Sequence, residues 1–146
     1  MFAHYLFAIF RHILMILPLS LQAKINGVSI GERCFINSRF WSSEPFFITV
    51  GDDCMIASGV KFFTHGGGSV ARDQYPKFDV FGKIEIKNRV YIGSNSLIMP
   101  GVTIEDNVLV CAGSVVCNSV PSGVVVGGCP ARIIGTVDEY IKRNLP

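Results

Sequence analysis

The chain has 146 residues, of which 49% are hydrophobic and 16% charged, and its formal net charge is +2. This size and composition predict one domain with a substantial core, and the near-neutral charge excludes the basic face expected of a nucleic-acid-binding protein. The five cysteines form no CxxC pair, so we expect reduced thiols in the cytoplasm rather than a disulfide framework.

The first predicted element is an N-terminal amphipathic helix over residues 1–22. Its apolar residues recur at helical spacing: Phe2, Leu6, Ile9, Phe10, Ile13 and Leu17. No basic segment precedes the apolar run, as a signal peptide requires, and Arg11 divides the run into stretches too short to span a bilayer. The helix therefore either packs on the main domain or lies on the inner membrane surface, and the sequence leaves both alternatives open.

From residue 86 onward, the chain repeats with a period of six residues. The first position of each unit is Ile86, Ile92, Ile98, Ile104, Val110 or Val116. Three residues after each first position comes a residue from a set rich in turn formers: Arg89, Asn95, Gly101, Asn107, Gly113 or Ser119. Four residues after each first position comes a small or β-branched residue. A helix would need a period near 3.6 and a simple strand a period of 2. The period of six predicts an all-β fold of short parallel strands and tight turns, stacked in coils around one continuous core.

Weaker repeats place the start of this β-helix domain at residue 23, and its predicted end is residue 135. Residues 42–47 depart from the register and predict a bulge. Residues 64–83 contain no repeat and predict a loop extruded between two coils, a kind of segment that is often functional. The last predicted element is a short C-terminal helix within residues 136–146.

Three segments of the chain resemble the hexapeptide-repeat acyltransferases: residues 90–107, residues 111–116 and residues 128–134. The galactoside and maltose acetyltransferases and the O-acetyltransferases of capsule and O-antigen gene clusters are the most similar branches. The resemblance implies a left-handed parallel β-helix, a homotrimer, and acetyl-CoA as co-substrate in a groove between two subunits. It implies no metal.

His65 is the candidate catalytic base. Acetyl transfer to a hydroxyl needs a group that takes the hydroxyl proton, and histidine suits this role near neutral pH. Of the three histidines, His4 and His12 fall in the N-terminal helix, whereas His65 stands at the start of the extruded loop. The resemblance also places the family's catalytic histidine there.

The group that orients the imidazole of His65 is open at this stage. Related sequences often carry an acidic residue directly after the histidine, whereas Gly66 follows here. Glu44, Asp73, Asp79 or a backbone carbonyl are the alternatives.

The resemblance implies further contacts with the two substrates. It places Asn37 in the acceptor site, with a turn asparagine as the alternative, and puts Tyr91 where a family tryptophan borders the site, with an outward strand tyrosine as the equal alternative. Apart from the resemblance, we also assign Glu44 to the acceptor site. We assign Ala112, Gly113, Ser114 and Arg132 to acetyl-CoA, because the three small residues let pantetheine approach the backbone and the arginine corresponds to a basic residue that meets the nucleotide phosphate. Cysteine positions indicate core or turn roles, which favours direct attack by the acceptor over a covalent acetyl-enzyme.

The expected function is transfer of acetyl to a sugar hydroxyl in cell-surface polysaccharide synthesis, with a free saccharide or a lipid-linked or nucleotide sugar as acceptor. N-acetylation of a nucleotide-linked amino sugar and acetylation of a xenobiotic are the alternatives. A zinc enzyme built on the same kind of helix is disfavoured, because it needs several histidine ligands and this domain has one.

Overall fold

The computed structural model describes residues 15–146, so most of the predicted N-terminal helix, with His4 and His12, lies outside the described residues. Within them, helix α1 spans Leu19–Ile25 and follows Pro18 directly. Ala23 of α1 is fully buried in the core, because α1 packs against the first two strands. No helix within residues 15–146 combines the length and apolarity needed to cross a membrane.

Thirteen short strands form the body of the described chain. They are β1 Ser29–Ile30, β2 Phe35–Ile36, β3 Ile48–Val50, β4 Met55–Ile56, β5 Lys61–Phe62, β6 Ile84–Ile86, β7 Tyr91–Ile92, β8 Leu97–Ile98, β9 Thr103–Ile104, β10 Leu109–Val110, β11 Val115–Val116, β12 Val124–Gly128 and β13 Ala131–Thr136. They assemble into sheet 1 (β1-β3-β6-β9), sheet 2 (β2-β4-β7-β10-β12-β13) and sheet 3 (β5-β8-β11). All pairs are parallel except β12 with β13. From β6 to β11 the strands enter the three sheets in rotation, which makes a parallel β-helix with three walls.

The six-residue pattern corresponds directly to this geometry. The first-position residues from Ile86 to Val116 are at most 1% exposed and form the inward column. At the third position after each of the first five of them, Arg89, Asn95, Gly101, Asn107 and Gly113 have φ between +55° and +79°. Short polar residues and glycine tolerate this left-handed conformation best, so the predicted tight turn after each strand passes through a left-handed residue in these units.

The outer surfaces of sheets 1 and 2 differ in polarity. On sheet 1 the outward residues in register are Ser29, Thr49, Glu85 and Thr103. On sheet 2 they are Phe35, Met55, Tyr91 and Leu109, of which the first three are substantially exposed. Sheet 1 therefore presents a polar face to solvent, whereas sheet 2 presents an apolar one.

Two irregular segments leave the β-helix at the corner between sheets 3 and 1. The first, residues 41–47, leads from Phe40, which bridges to Lys61, into β3 and contains the 3₁₀ helix Pro45–Phe47. The second, residues 63–83, leads from β5 into β6 and contains the 3₁₀ helix Gly68–Ala71. Because stacked coils place equivalent connections one above the other, the bulge and the extruded loop are neighbours.

The C-terminal segment closes the structure. β13 folds back on β12, and helix α2 (Val137–Asn144) follows. Thr136 and Glu139 form a reciprocal capping box at its start, which satisfies backbone N–H groups that the first turn leaves unpaired. The predicted all-β parallel helix with an extruded loop and a short terminal helix is confirmed.

Candidate active site

A chain of four polar side chains joins the bulge to the extruded loop. Glu44 Oε2 lies 2.7 Å from His65 Nδ1 and 2.6 Å from Thr64 Oγ1. Thr64 Oγ1 lies 2.8 Å from Ser42 Oγ, which also accepts a 3.1 Å hydrogen bond from the Thr64 backbone N–H. Two segments about twenty residues apart in sequence thus meet through side chains.

The direction of these hydrogen bonds follows from the charge on Glu44. The hydrogen bond from Thr64, together with that from His65, holds the pKa of the Glu44 carboxyl below its ordinary value against the opposing effect of desolvation. An ionised carboxylate only accepts hydrogen bonds. Thr64 therefore donates its hydroxyl proton to Glu44, and the Ser42 hydroxyl donates to Thr64. His65 Nδ1 donates as well, so the unprotonated nitrogen of the neutral ring is Nε2.

The ring of His65 is held at one edge and open at the other. It lies against Phe81, with 5.5 Å between ring centroids, and its backbone forms a bridge with the same residue. Its side chain is 39% exposed, whereas that of Glu44 is 21% exposed. The imidazole is thus fixed through Nδ1, while more than a third of its side chain remains exposed to solvent.

Of the four groups proposed to orient His65, the structure brings Glu44 to the imidazole. Asp79 pairs instead with Arg72 at 2.9 Å, and Asp73 is exposed in the loop. The sequence indicates Glu44 as a candidate partner of the imidazole, but not the contacts that Thr64 and Ser42 make with it. The departure of residues 42–47 from the repeat was the available signal, because a segment forced off register at a corner can reach a neighbouring loop.

Asn37 and Tyr91 lie away from His65 within one chain. Asn37 follows β2 and lines a cavity of about 340 Å³ at the corner between sheets 2 and 3. Tyr91 is on the outward face of sheet 2, in register with Met55 and Leu109. The fold of the chain does not bring Tyr91 to the imidazole.

The residues assigned to acetyl-CoA occupy two places at the C-terminal end of the β-helix. Arg132 lines a cavity of about 470 Å³ together with Val116, Asn118 and Ser119. Ala112, Gly113 and Ser114 form the turn between β10 and β11, where Ser114 is buried and donates a 2.6 Å hydrogen bond to the carbonyl of Cys111. Arg132 therefore lines this cavity, whereas Ala112, Gly113 and Ser114 do not.

Cys54 is a core residue. It is buried in the inward column, and desolvation raises the pKa of its thiol to about 11. A thiol with this pKa is a poor nucleophile near neutral pH, so Cys54 is not a candidate nucleophile. Across residues 15–146, no three His, Cys, Asp or Glu side chains gather closely enough to bind a metal ion.

Comparison with known proteins identifies relatives along most of the chain. Residues 83–118 match the family described as bacterial transferase hexapeptide (six repeats), and residues 27–61 match the hexapeptide repeat of succinyl-transferase. Protein CapG of Staphylococcus aureus is 47% identical over 123 residues, which cover 82% of this chain and 72% of CapG.

Two further relatives are acetyltransferases. The galactoside O-acetyltransferase of Escherichia coli K12 is 32% identical over 119 residues, which cover 81% of this chain and 58% of that enzyme. A hexapeptide-repeat acetyltransferase of Vibrio cholerae, solved in complex with acetyl-CoA, is 32% identical with a TM-score of 0.66, over 76% of this chain and 61% of that chain.

Proposed function

The chain belongs to the hexapeptide-repeat acetyltransferase family, and we propose that it transfers acetyl from acetyl-CoA to a sugar hydroxyl with His65 as general base. The β-helix is left-handed, as in its structural relatives. The observation that carries the proposal is the 2.7 Å contact between Glu44 and His65 Nδ1, which leaves Nε2 as the unprotonated nitrogen of a partly exposed ring.

The chemistry follows from this arrangement. Nε2 accepts the proton of the acceptor hydroxyl as its oxygen attacks the thioester carbonyl. The imidazolium formed is stabilised by the Glu44 carboxylate, which also holds the ring in the required tautomer. When the C–S bond breaks, the same proton passes from Nε2 to the sulfur of the departing coenzyme A. The ring is then ready for the next cycle.

The acetyl-CoA side of the site is proposed at the C-terminal coils. The guanidinium of Arg132 would pair with a phosphate of the nucleotide, and the turn at Gly113 would let pantetheine pass close to the backbone.

We propose a homotrimer, since the apolar outer face of sheet 2 is suited to burial against another subunit. Because all five cysteines are free thiols, we place the reaction in the cytoplasm.

Two cations favour a sugar that carries phosphate, as in nucleotide- or lipid-linked precursors of a capsule or O-antigen. Arg39 and Lys61 line the same 340 Å³ cavity as Asn37. The Lys61 ammonium lies 5.8 Å from the ring centre of Phe40, and within residues 15–146 neither cation forms a salt bridge. A phosphate would neutralise both, whereas Asn37 would contact the sugar.

The test of the function is release of free coenzyme A thiol from acetyl-CoA in the presence of neutral sugars, sugar phosphates and nucleotide sugars. We expect one added acetyl mass on an acceptor, in an ester that mild alkali removes. A product that resists mild alkali would instead establish N-acetylation of an amino sugar. If acetyl-CoA is neither bound nor consumed with any member of the panel, the proposed function is wrong.

The two cations give a separate prediction. We expect Arg39→Gln with Lys61→Met to raise the KM for a phosphorylated acceptor about tenfold or more, since each charge-assisted hydrogen bond contributes roughly 1.5–3 kcal/mol. The KM for acetyl-CoA should not change. Lys142→Gln on α2 is the matched control, and an unchanged acceptor KM in the double variant would show that the cavity binds no phosphate.

A further inference from the structure

Thr64 occupies a core position, yet its hydroxyl forms hydrogen bonds that packing in the core does not require. Its side chain is fully buried, like the inward residues of the coils, yet it is a polar residue that contacts both Ser42 and Glu44. A valine would fill nearly the same volume in the core. The hydroxyl must therefore be explained by what it binds.

We propose that Thr64, held by Ser42, is a positioning residue that fixes the Glu44 carboxylate and thereby keeps the His65 proton on Nδ1. This inference rests on the proposed role of His65 as the base.

The first argument is the geometry at Glu44. One carboxylate oxygen, Oε2, receives both the Thr64 and the His65 hydrogen bonds, at 2.6 and 2.7 Å. The side chain remains 21% exposed, so water can compete for it. A second, buried donor on the same oxygen restricts the rotation of the carboxylate, because turning it toward water would break both bonds.

The second argument is the backbone of the bulge. Ser42 has φ of +62°, a conformation that costs a non-glycine residue free energy and persists where the surroundings enforce it. In this conformation Ser42 Oγ lies within 3.1 Å of the Thr64 backbone N–H and 2.8 Å of Thr64 Oγ1. The bulge and the loop are thus joined through Thr64 at a point next to the reactive imidazole.

The third argument is electrostatic. Among the groups that lower the pKa of Glu44, the Thr64 hydroxyl has the largest effect, ahead of His65. A carboxylate kept ionised is the acceptor that holds a proton on Nδ1. Thr64 therefore acts on the base through Glu44 without contacting substrate.

A purely structural role for Thr64 predicts a different result from a positioning role. If the hydroxyl only satisfies a buried polar group, its removal changes stability and leaves the imidazole as it was. If it positions Glu44, its removal changes the protonation pattern of the ring even where the fold is intact.

The experiment compares Thr64→Val, Thr64→Ser and wild type, with Ser96→Ala as the matched control. Ser96 is another fully buried hydroxyl, bonded to the Cys111 carbonyl at the corner between sheets 2 and 3, a different corner from that of the bulge and the loop. We expect Thr64→Val to lower kcat about tenfold or more with little change in the KM for acetyl-CoA. Thr64→Ser should restore most of the rate, and Ser96→Ala should keep the wild-type rate.

A second readout is independent of catalysis. In protein with ¹⁵N-labelled histidine, the His65 signals, assigned with a His65→Gln variant, should show the Nδ1–H tautomer in wild type and Thr64→Ser. In Thr64→Val they should shift toward a mixture of tautomers. An unchanged His65 spectrum in a folded Thr64→Val protein would overturn the inference. The spectrum can be recorded without an acetyl acceptor, so failure to find an acceptor would count against the proposed function only. If Thr64→Val does not fold, Ser42→Ala replaces it. We expect the same shift toward a mixture of tautomers, and an unchanged His65 spectrum in Ser42→Ala would overturn the inference.

Discussion

His65→Ala should lower the kcat of acetyl transfer by about 10²–10⁴-fold, the usual contribution of a general base. The residue is 39% exposed and lies at the rim of the β-helix, so its removal deletes the proton acceptor and leaves the core columns untouched. The KM for acetyl-CoA should stay near the wild-type value, because the candidate coenzyme site lies at the C-terminal coils. The measurement is thiol release from acetyl-CoA with the best acceptor of the panel, together with the mass of the protein in solution.

Asp73→Asn is the matched control for this variant. Asp73 lies in the same loop and is also exposed, and it was one of the groups that could have oriented the imidazole. We expect its substitution to leave the rate within about twofold. A His65→Ala protein as active as wild type would remove His65 from the mechanism, and a large loss in Asp73→Asn would show that the loop acts through a different contact.

The largest effect on stability is expected for Phe62→Ala. Phe62 is fully buried and stacks on Trp41, with 4.8 Å between ring centroids and an interplanar angle of 4°. Truncating a buried phenylalanine costs about 3–5 kcal/mol, since both transfer free energy and packing are lost. The measurement is the free energy of unfolding in denaturant.

The position of Phe62 gives this loss a functional consequence. Trp41 begins the bulge that carries Glu44, and Phe62 ends the strand that leads to His65, so the stacked pair ties together the bases of both segments. We therefore expect the residual activity of folded Phe62→Ala to fall as well. Phe46→Ala is the control, because Phe46 is 65% exposed and surface substitutions usually change stability by less than about 0.5 kcal/mol. Equal losses in the two variants would contradict this account of the core.

The β-helix could be predicted from the sequence because its determinants are local and repeated. A branched apolar residue faces inward every six positions from Ile86 to Val116, and a turn residue with positive φ follows in each of the first five units. One isolated repeat unit can be misinterpreted, whereas six consecutive units specify the period. The candidate base was also identifiable, since His65 is the histidine that stands next to a break in this repeat.

The partner of His65 could not be chosen from sequence, because the contact depends on two segments that the repeat does not describe. Glu44, Asp73 and Asp79 were equally acceptable by residue type. Stacking of the coils placed the bulge directly beside the loop and brought Glu44 Oε2 to 2.7 Å from the imidazole, while Asp79 paired with Arg72.

The six-residue repeat predicts the fold, the strands and turns of the regular coils, and the residue best suited to accept a proton. The folded chain is needed to show which carboxylate faces that residue, that Thr64 and Ser42 support it, and that Arg39 and Lys61 share a cavity with Asn37. This is because periodic burial leaves a signal in each repeat, whereas contacts between off-register segments leave none. They arise when the coils stack and place residues that are distant in the chain within hydrogen-bonding distance.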